Sequence, residues 1–293
     1  METNTMDIYD NTTTRGPLAV VGATGQQGRA VVSALLEKGA PVRALVRDPN
    51  SPRARQLARS GADVVTADLD SSDTLVKAFR GAGAVFAMTT FTGPGGTEGE
   101  VAHGRAIGDA AQAAGVARVV YSSVGGAERA TGIPHFESKR RVEEYLGTLG
   151  LRTTFVRPTF FMDNFASFSR PVMEDKLVIR LPMPGDVPLQ MVATRDIGRV
   201  AAAALLYPER IPGGAVELAG DELTGEEMAA AFARARGIPA RYEPVPVDVL
   251  PDADQKAMFT WFATLPAYRA DVGLGRELVP DLYDLRTWIE AGK

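Results

Sequence analysis

The chain has 293 residues, enough for two domains or for one large α/β domain with an appendage. Its composition, 45% hydrophobic and 23% charged, is typical of a globular protein and argues against wholesale disorder. A net charge of −4 disfavours a general nucleic-acid or anionic-membrane binder. With no cysteine and two histidines, the chain excludes disulfides, thiolate zinc and iron–sulfur clusters, and we expect no metal centre.

The sequence also predicts a cytoplasmic protein without a membrane segment. No apolar run approaches the 18 residues that a transmembrane helix needs. Residues 1–16 lack the basic and apolar regions of a signal peptide, and we expect them to form a mobile polar tail.

Short apolar, β-branched runs alternate with helical patterns through the first half of the chain. Strands are predicted at Leu18–Val21, Val42–Val46, Asp63–Thr66, Ala84–Met88, Arg118–Tyr121 and Thr153–Val156. Each gap has room for one helix, as right-handed βαβ crossovers require. Near-continuous apolar strands of this kind indicate an α/β fold with a doubly wound, mostly parallel sheet covered on both faces.

Helical patterns occupy most of the gaps. They are predicted at Gln26–Lys38, between Ser72 and Gly81, at Glu100–Ala114 and at Glu137–Leu149. One more strand–helix pair is predicted at Met191–Val192 and Thr194–Leu206. From about Asp221 onward we expect two or three helices and a proline-interrupted strand near Arg241–Val247.

A glycine-rich loop follows the first predicted strand and precedes a helix. Its residues are Gly22, Ala23, Thr24, Gly25, Gln26, Gln27 and Gly28. Glycine at these positions allows a tight turn, close approach of the backbone to a pyrophosphate and close packing of helix on strand. The helix N-terminus then presents N–H groups to the phosphates. The context predicts a nucleotide site rather than a simple strand–helix turn, and the GxxGxxG spacing points to extended short-chain dehydrogenases.

The residues at the end of the second strand bear on the choice between NAD and NADP as the cofactor. Arg47 ends the strand and could bind the 2′-phosphate of NADP, whereas an acidic residue would bind the 2′-OH of NAD. We favour NADP, although Asp48 leaves NAD open. The alternative interpretation of Arg47 is a solvated surface residue in an arginine-rich stretch.

Together, eight segments of the chain resemble the NmrA-like family of atypical short-chain dehydrogenases/reductases. The segments are VVGATGQQG (20–28), VRALVRDP (42–49), GADVVTADLD (61–70), VFAMTTF (85–91), VYSSV (120–124), HFESK (135–139), RPTFFMDNF (157–165) and LQMVATRDIGR (189–199). They run from Val20 to Arg199, and the part beyond Asp221 matches only loosely. The resemblance implies a Rossmann-type NAD(P)-binding domain at residues 17–158 and 189–220. It also implies a smaller, discontinuous α/β cap at residues 159–188 and 221–293.

The resemblance further implies how the residues would contact the cofactor. The glycine loop would hold the pyrophosphate, and Arg47 the 2′-phosphate. The remaining contacts would be Asp68 and Leu69 at the adenine, Thr89, Thr90 and Phe91 along the ribose and phosphates, Lys139 at the nicotinamide ribose, and Phe161, Met162, Asp163 and Asn164 beside the nicotinamide. Relatives can carry a basic residue early in the helix that follows Phe91, where this chain has Ala102 and His103.

Several of these residues have a second interpretation. Asp68 could be a turn residue and Phe161 a plain core aromatic. The segment Thr89–Gly99 could be a solvated loop or a flap over the cofactor. Asp196 is interpreted as a helix-start residue rather than a catalyst.

The catalytic residues depart from the standard pattern. Short-chain dehydrogenases use a tyrosine and a lysine four residues apart, and here His135 stands in the place of the tyrosine while Lys139 is retained. His135 could act as the acid, or it could be a polar residue near a helix start. Ser122 and Ser123 could polarise a carbonyl, or they could bond to backbone at the end of a strand.

Two functions therefore remain open. The first is an NADP(H)-dependent oxidoreductase that acts on a small carbonyl, enol, imine or quinone-like molecule. The second is a non-catalytic, redox-sensing regulator that binds a protein partner according to NADP(H) occupancy. No nucleic-acid or membrane partner is expected, and the sequence leaves the oligomeric state open.

Overall fold

A computed structural model describes residues 16–292 of the chain, so the predicted tail lies outside the described residues except for Gly16. Two compact units are formed from ranges that alternate along the sequence. The first contains the described residues up to Ser122 together with Arg141–Val156 and Gly198–Ala215. The second contains Ser123–Arg140, Arg157–Ile197 and the described residues from Val216 onward. None of the helices in the described part is long and apolar enough to cross a membrane.

Thirteen strands form within residues 16–292. They are β1 (Leu18–Val20), β2 (Val42–Val46), β3 (Asp63–Thr66), β4 (Ala84–Met88), β5 (Arg118–Ser122), β6 (Arg152–Pro158), β7 (Phe160–Phe161), β8 (Val172–Met173), β9 (Leu177–Leu181), β10 (Leu189–Val192), β11 (Ala215–Leu218), β12 (Asp221–Leu223) and β13 (Ala240–Pro244). The six strands predicted in the first half are all present, and their ends differ from the prediction by two residues at most.

Ten α-helices form in the same residues. They are α1 (Gln26–Glu37), α2 (Pro52–Arg59), α3 (Ser72–Phe79), α4 (Gly96–Ala113), α5 (Pro134–Thr148), α6 (Thr194–Leu206), α7 (Gly225–Arg236), α8 (Ala253–Phe262), α9 (Val272–Leu278) and α10 (Leu285–Glu290). Two starts were predicted too late, since α4 begins four residues before Glu100 and α5 three residues before Glu137. Four helices, rather than two or three, follow Asp221.

The large sheet has the order β11-β6-β5-β4-β1-β2-β3. Strands β1 to β6 are parallel, with Leu18 opposite Val42 on one side and Ala84 on the other. This is the 3-2-1-4-5-6 order of a dinucleotide-binding sheet, in which β1 and β4 flank the point where the strand order reverses. The predicted Rossmann-type, doubly wound α/β fold is therefore confirmed.

The first unit has a mainly apolar core because its central strands are apolar on both faces. Val85, Val119 and Tyr121 from the strands are fully buried with Leu75 and Ile107 from the helices. Gly104 of α4 lies so close to α5 that a Cβ there would come within 2.4 Å of Val142 Cγ2. Glycine at this position thus permits α4 and α5 to pack closely against each other.

The second unit has its own sheets and an aromatic core. Its three-stranded sheets have the orders β12-β10-β7 and β13-β9-β8. Phe160 packs edge to face against Phe165, Phe259 and Phe262 at centroid distances of 5.9 to 6.4 Å. The predicted cap residues 159–188 and the described part of 221–293 all lie in this unit, which also takes in residues 123–140, 157–158, 189–197 and 216–220.

Candidate functional site

The glycine loop after β1 folds back on itself so tightly that only glycine fits at two positions. Gly22 has φ +67°, a conformation that side chains with a Cβ rarely adopt. The Gly25 N–H donates to the Gly22 carbonyl oxygen at 2.9 Å. A Cβ on Gly28 would lie 2.2 Å from that same oxygen. The loop is therefore a backbone cradle at the end of β1, as the sequence predicts.

Helix α1 begins at this loop without a capping side chain. Its N-cap is Gly25, which provides no side-chain cap, and its first turn contains no acidic residue. The first N–H groups of a helix have no partner inside the helix, and the helix dipole favours negative charge there. The start of α1 is thus suited to an anion such as a pyrophosphate.

Gln27 connects this loop to β5. The Ser122 hydroxyl, at the end of β5, donates to Gln27 Oε1 at 2.6 Å, and Ser122 is almost fully buried. The Ser122 hydroxyl at the end of the strand is thus bonded to the side chain of Gln27. The Oγ of Ser123 is buried without a hydrogen-bond partner among the described residues.

A pocket of about 380 Å³ lies at the carboxyl end of β2. It is lined by Thr24, Val46, Arg47, Asp48, Ser51, Pro52 and Arg53. Arg47 and Arg53 are exposed, so both guanidinium groups are available to a ligand in water. Asp48, which left NAD open, accepts at Oδ1 from the Asn50 N–H at 2.8 Å. Its carboxylate therefore already serves a turn, while Arg47 remains at the mouth of the pocket.

Ser51 and Arg53 were not recognised as pocket residues from the sequence. Ser51 caps α2, since its hydroxyl accepts from the Ala54 N–H, and Pro52 occupies the first helical position. This Ser-Pro start was a usable local signal for α2. Because α2 begins at Pro52, Arg53 lies in its first turn, where it lines the same pocket as Arg47.

Asp68 and Leu69 follow β3 in a tight turn. Asp68 Oδ1 accepts from the Asp70 N–H at 3.1 Å, which is the turn role considered for this residue. Leu69 is partly buried against the core of the first unit. Their contact with an adenine stays a prediction, and Asp68 is exposed enough to make one.

Thr89 directly follows β4, and its side chain faces the core rather than solvent. Its Oγ1 lies 2.7 Å from the Tyr121 hydroxyl and 3.2 Å from Glu100 Oε1, and all three side chains are buried. A ligand outside the sheet could therefore contact Thr89 only through its backbone. Thr90 is exposed and bonds to the Thr92 hydroxyl at 2.9 Å.

The predicted loop Thr89–Gly99 is shorter than expected. Helix α4 begins at Gly96, so the last four residues of that segment are helical. Gly96 has φ +55° and marks the transition. The irregular part is therefore residues 89–95, which is the part that could act as a flap.

In the second unit, the segment Phe161–Asn164 has structural roles of its own. Met162 is fully buried in the aromatic core. Asp163 Oδ2 accepts from the Thr194 N–H at 2.8 Å, so its carboxylate satisfies an N–H at the start of α6. Asp196, in the first turn of that helix, accepts from the Tyr283 N–H at 2.8 Å. The helix-start role predicted for Asp196 agrees with this position.

His135 is the second residue of α5, and Lys139 follows it by one helical turn. The helix therefore includes position 135, as a shared face for the two residues requires. Asp254 of α8 binds His135 through both carboxylate oxygens. Oδ1 accepts from the His135 N–H at 2.9 Å, and Oδ2 bonds to His135 Nδ1. Lys139 is buried, with 9% of its surface exposed.

The pair formed by His135 and Asp254 is mostly shielded from solvent. The side chains of His135 and Asp254 are 14% and 13% exposed. Burial raises the pKa of Asp254. The hydrogen bonds from His135 and the charge of its ring together lower the pKa by more than burial raises it, so it lies below its usual value. Asp254 is therefore ionised at neutral pH and acts as a hydrogen-bond acceptor. No sequence pattern indicated this partner, because 119 residues separate the two positions.

Known proteins resemble this chain in both sequence and fold. The NmrA-like family model matches residues 14–279. The NmrA-like family domain-containing oxidoreductase ptmS of Penicillium ochrochloron is 32% identical over 263 residues, covering 80% of this chain and 77% of that protein. An NAD(P)H azoreductase of Xenophilus azovorans is 33% identical over 226 residues, covering 77% and 76%. The solved structure of NmrA, a negative transcriptional regulator, in complex with NAD has a TM-score of 0.80 at 25% identity and covers 94% of this chain and 95% of that one. The chain therefore belongs to the NmrA-like family.

Proposed function

We propose that this protein is an NADP(H)-dependent oxidoreductase that reduces a small carbonyl, enol, imine or quinone-like molecule. The observation that carries the proposal is the backbone cradle in which Gly28 lies against Gly22 at the uncapped start of α1. The names of its relatives, an oxidoreductase and an NAD(P)H azoreductase, support this class of chemistry.

The residues present fit a dinucleotide with a 2′-phosphate. The N–H groups of the loop from Gly22 to Gly28 would hold the pyrophosphate. A Cβ at position 28 would lie 2.2 Å from the Gly22 oxygen and would force the loop out of this shape. Arg47 would bind the 2′-phosphate in the pocket at the end of β2, with Arg53 beside it. Asp48 is engaged with Asn50, which favours NADP over NAD.

The chemistry is divided between cofactor and protein. The chemistry that NADPH would supply when bound is a hydride. His135 would supply a proton to the substrate heteroatom, since a protonated ring nitrogen donates to an oxygen or nitrogen within hydrogen-bond distance. Lys139 would bind the nicotinamide ribose, and its three N–H donors suit two hydroxyls. The assignments of Lys139 and of Phe161–Asn164 to the cofactor remain predictions from the family resemblance.

Consumption of NADPH tests the proposal directly. We expect oxidation of NADPH, followed by its absorbance, with at least one member of a panel of azo dyes, quinones and aldehydes. Tight binding of NADPH without turnover of any acceptor would contradict the enzyme assignment. Failure to bind either NADPH or NADH would also remove the cofactor assignment.

A regulator is the second candidate. It is favoured by the likeness to NmrA, whose solved structure is described as a negative transcriptional regulator, and by the replacement of the expected tyrosine by His135. This function predicts cofactor binding without turnover. It also predicts that a protein partner binds with different affinity to the NADP and NADPH forms.

Arg47→Glu is expected to lower the affinity for NADPH by about 10- to 150-fold and to leave the affinity for NADH nearly unchanged. A hydrogen bond to a charged group contributes about 1.5–3 kcal/mol, which corresponds to this range. Titration of both cofactors by calorimetry measures the effect. Arg59→Glu is the control, because Arg59 lies on α2 with the same change in charge but does not line the pocket. Equal affinity of the wild type for NADH and NADPH would refute the role of Arg47.

Residues 90–95 are expected to become protected from hydrogen exchange when NADPH binds. Thr90, Thr92, Gly93, Pro94 and Gly95 are exposed, and glycine-rich backbone has high conformational entropy when free. Exchange measured by mass spectrometry, with and without saturating NADPH, reports the change, and peptides from α3 serve as the reference. Unchanged protection of residues 90–95 would mean that the segment is not a flap.

A further inference from the structure

We propose that Asp254 is a positioning residue for His135, which holds the imidazole in its Nδ1–H form and thereby directs proton transfer through Nε2. The catalytic consequence rests on the function proposed above. The tautomer of the ring does not, and it can be measured without any substrate.

The geometry of the contact indicates more than a stabilising ion pair. One carboxylate binds two groups of the same residue, the backbone N–H and the ring nitrogen Nδ1. A carboxylate held by both groups cannot rotate without losing one of the bonds. Phe136 lies edge-on to the ring at a centroid distance of 4.7 Å. The imidazole is therefore fixed in orientation from two sides.

Asp254 is not needed to cap its own helix. Asp252 is the N-cap of α8, and its Oδ1 accepts from the Gln255 N–H at 2.9 Å. Asp254, two residues later, directs both oxygens to α5. The bond to the His135 N–H satisfies one of the unpaired donors at the start of α5, and this accounts for one oxygen only. The bond from the other oxygen to Nδ1 is the one that a capping role leaves unexplained.

The chemistry of the pair follows from which atoms can donate. An ionised carboxylate only accepts hydrogen bonds, so Nδ1 must carry a proton in both the neutral and the cationic ring. The neutral ring then has its lone pair at Nε2, and the cation carries its second proton there. As hydride reaches the substrate, the Nε2–H bond breaks and the proton passes to the substrate oxygen or nitrogen. The ring is left neutral with Nδ1–H, and water returns the proton at Nε2.

The substitution Asp254→Asn tests the positioning role of Asp254 without being expected to disturb the fold. The His135 N–H can only donate, so the amide oxygen is expected to keep that bond. The amide NH₂ then takes the place of Oδ2 and can only donate, which forces Nδ1 to become the acceptor. The variant should therefore fold like the wild type but hold the neutral ring in the opposite, Nε2–H form. In a well-studied catalytic triad, the same replacement retains the geometry and lowers kcat through the wrong tautomer.

The readout is the nitrogen NMR spectrum of protein labelled with 15N-histidine. The chain contains two histidines, His103 and His135, and His103→Gln assigns the signals. Wild type is expected to show a protonated Nδ1 at His135, and Asp254→Asn a protonated Nε2. Asp252→Asn is the matched control, because it makes the same chemical change in the same helical turn, and asparagine is also a good N-cap. This control should retain the wild-type tautomer and activity.

Activity is the second measurement. We expect Asp254→Asn to lower NADPH-dependent reduction at least tenfold in kcat, with the Kd for NADPH unchanged. An unchanged tautomer in Asp254→Asn would overturn the proposal. A switched tautomer with full activity would overturn the assigned direction of proton transfer. If the wild type reduces no acceptor, the proposed function fails by itself, while the spectra still decide whether Asp254 positions His135.

Discussion

Gly28→Ala is expected to lower the affinity for NADPH more than a hundredfold, although it adds a single methyl group. The new Cβ would lie 2.2 Å from the Gly22 oxygen and 2.9 Å from Ala23 Cα, both backbone atoms. The loop must therefore move and withdraw its N–H groups from the phosphates. Loss of two hydrogen bonds to a charged group costs about 3 kcal/mol or more, which is over a hundredfold in affinity.

The same substitution at Gly147 is the control. Gly147 is an exposed residue of α5, and a Cβ added there would meet no neighbouring group within 4 Å. Alanine there should stabilise the protein by about 0.5–1 kcal/mol, because glycine is a poor helix former. Titration of NADPH together with thermal unfolding of both variants measures the contrast. If Gly28→Ala binds NADPH like the wild type, the loop does not hold the cofactor.

His135→Ala is expected to lower the rate of NADPH-dependent reduction about a hundredfold or more and to leave the Kd for NADPH nearly unchanged. A general acid contributes about 10²–10⁴-fold, and its effect appears in the transition state rather than in ground-state binding. Lys139→Ala is expected to show the opposite pattern, with weaker NADPH binding, because the lysine would contact the ribose in the ground state.

His103→Ala is the control for His135→Ala. His103 is the other histidine of the chain, and its Nε2 lies 2.9 Å from Asp70 Oδ1 on the first unit. Steady-state kinetics and NADPH titration of the three variants measure the effects. Full activity of His135→Ala would assign the proton to another donor, such as a serine or water. Wild-type NADPH binding by Lys139→Ala would mean that the segment from His135 to Lys139 is wrongly aligned with the family.

His135 could be recognised from the sequence, whereas its partner Asp254 could not. The segment from His135 to Lys139 was recognised by its resemblance to a family motif, and a helix was predicted from Glu137 onward, two residues after His135. Asp254 could not be recognised in this way, because it lies in a part of the chain that matches the family only loosely. It is one acidic residue among several near the start of α8. Its role depends on which element packs against α5.

The same distinction separates the glycine loop from the polar residues that follow the other strands. Positive φ at Gly22 and close approach at Gly28 are demands of the local backbone, so the residue types alone indicated the loop. Thr89, Asp68 and Asp163 were assigned to the cofactor by position in the family pattern. In the structure, their side chains bond to Tyr121, Asp70 and Thr194 respectively.

The sequence by itself determined the class of the fold, the positions of strands β1 to β6 and the glycine-dependent conformation of the loop after β1. These properties depend on apolar periodicity and backbone conformation over fewer than about twenty neighbouring residues. Tertiary structure alone decided that Ser122 donates to Gln27, that Thr89 bonds to Tyr121, and that Asp254 holds His135. Side-chain partners are chosen by packing, which brings together groups from helices and strands far apart in the chain. No local pattern encodes that choice.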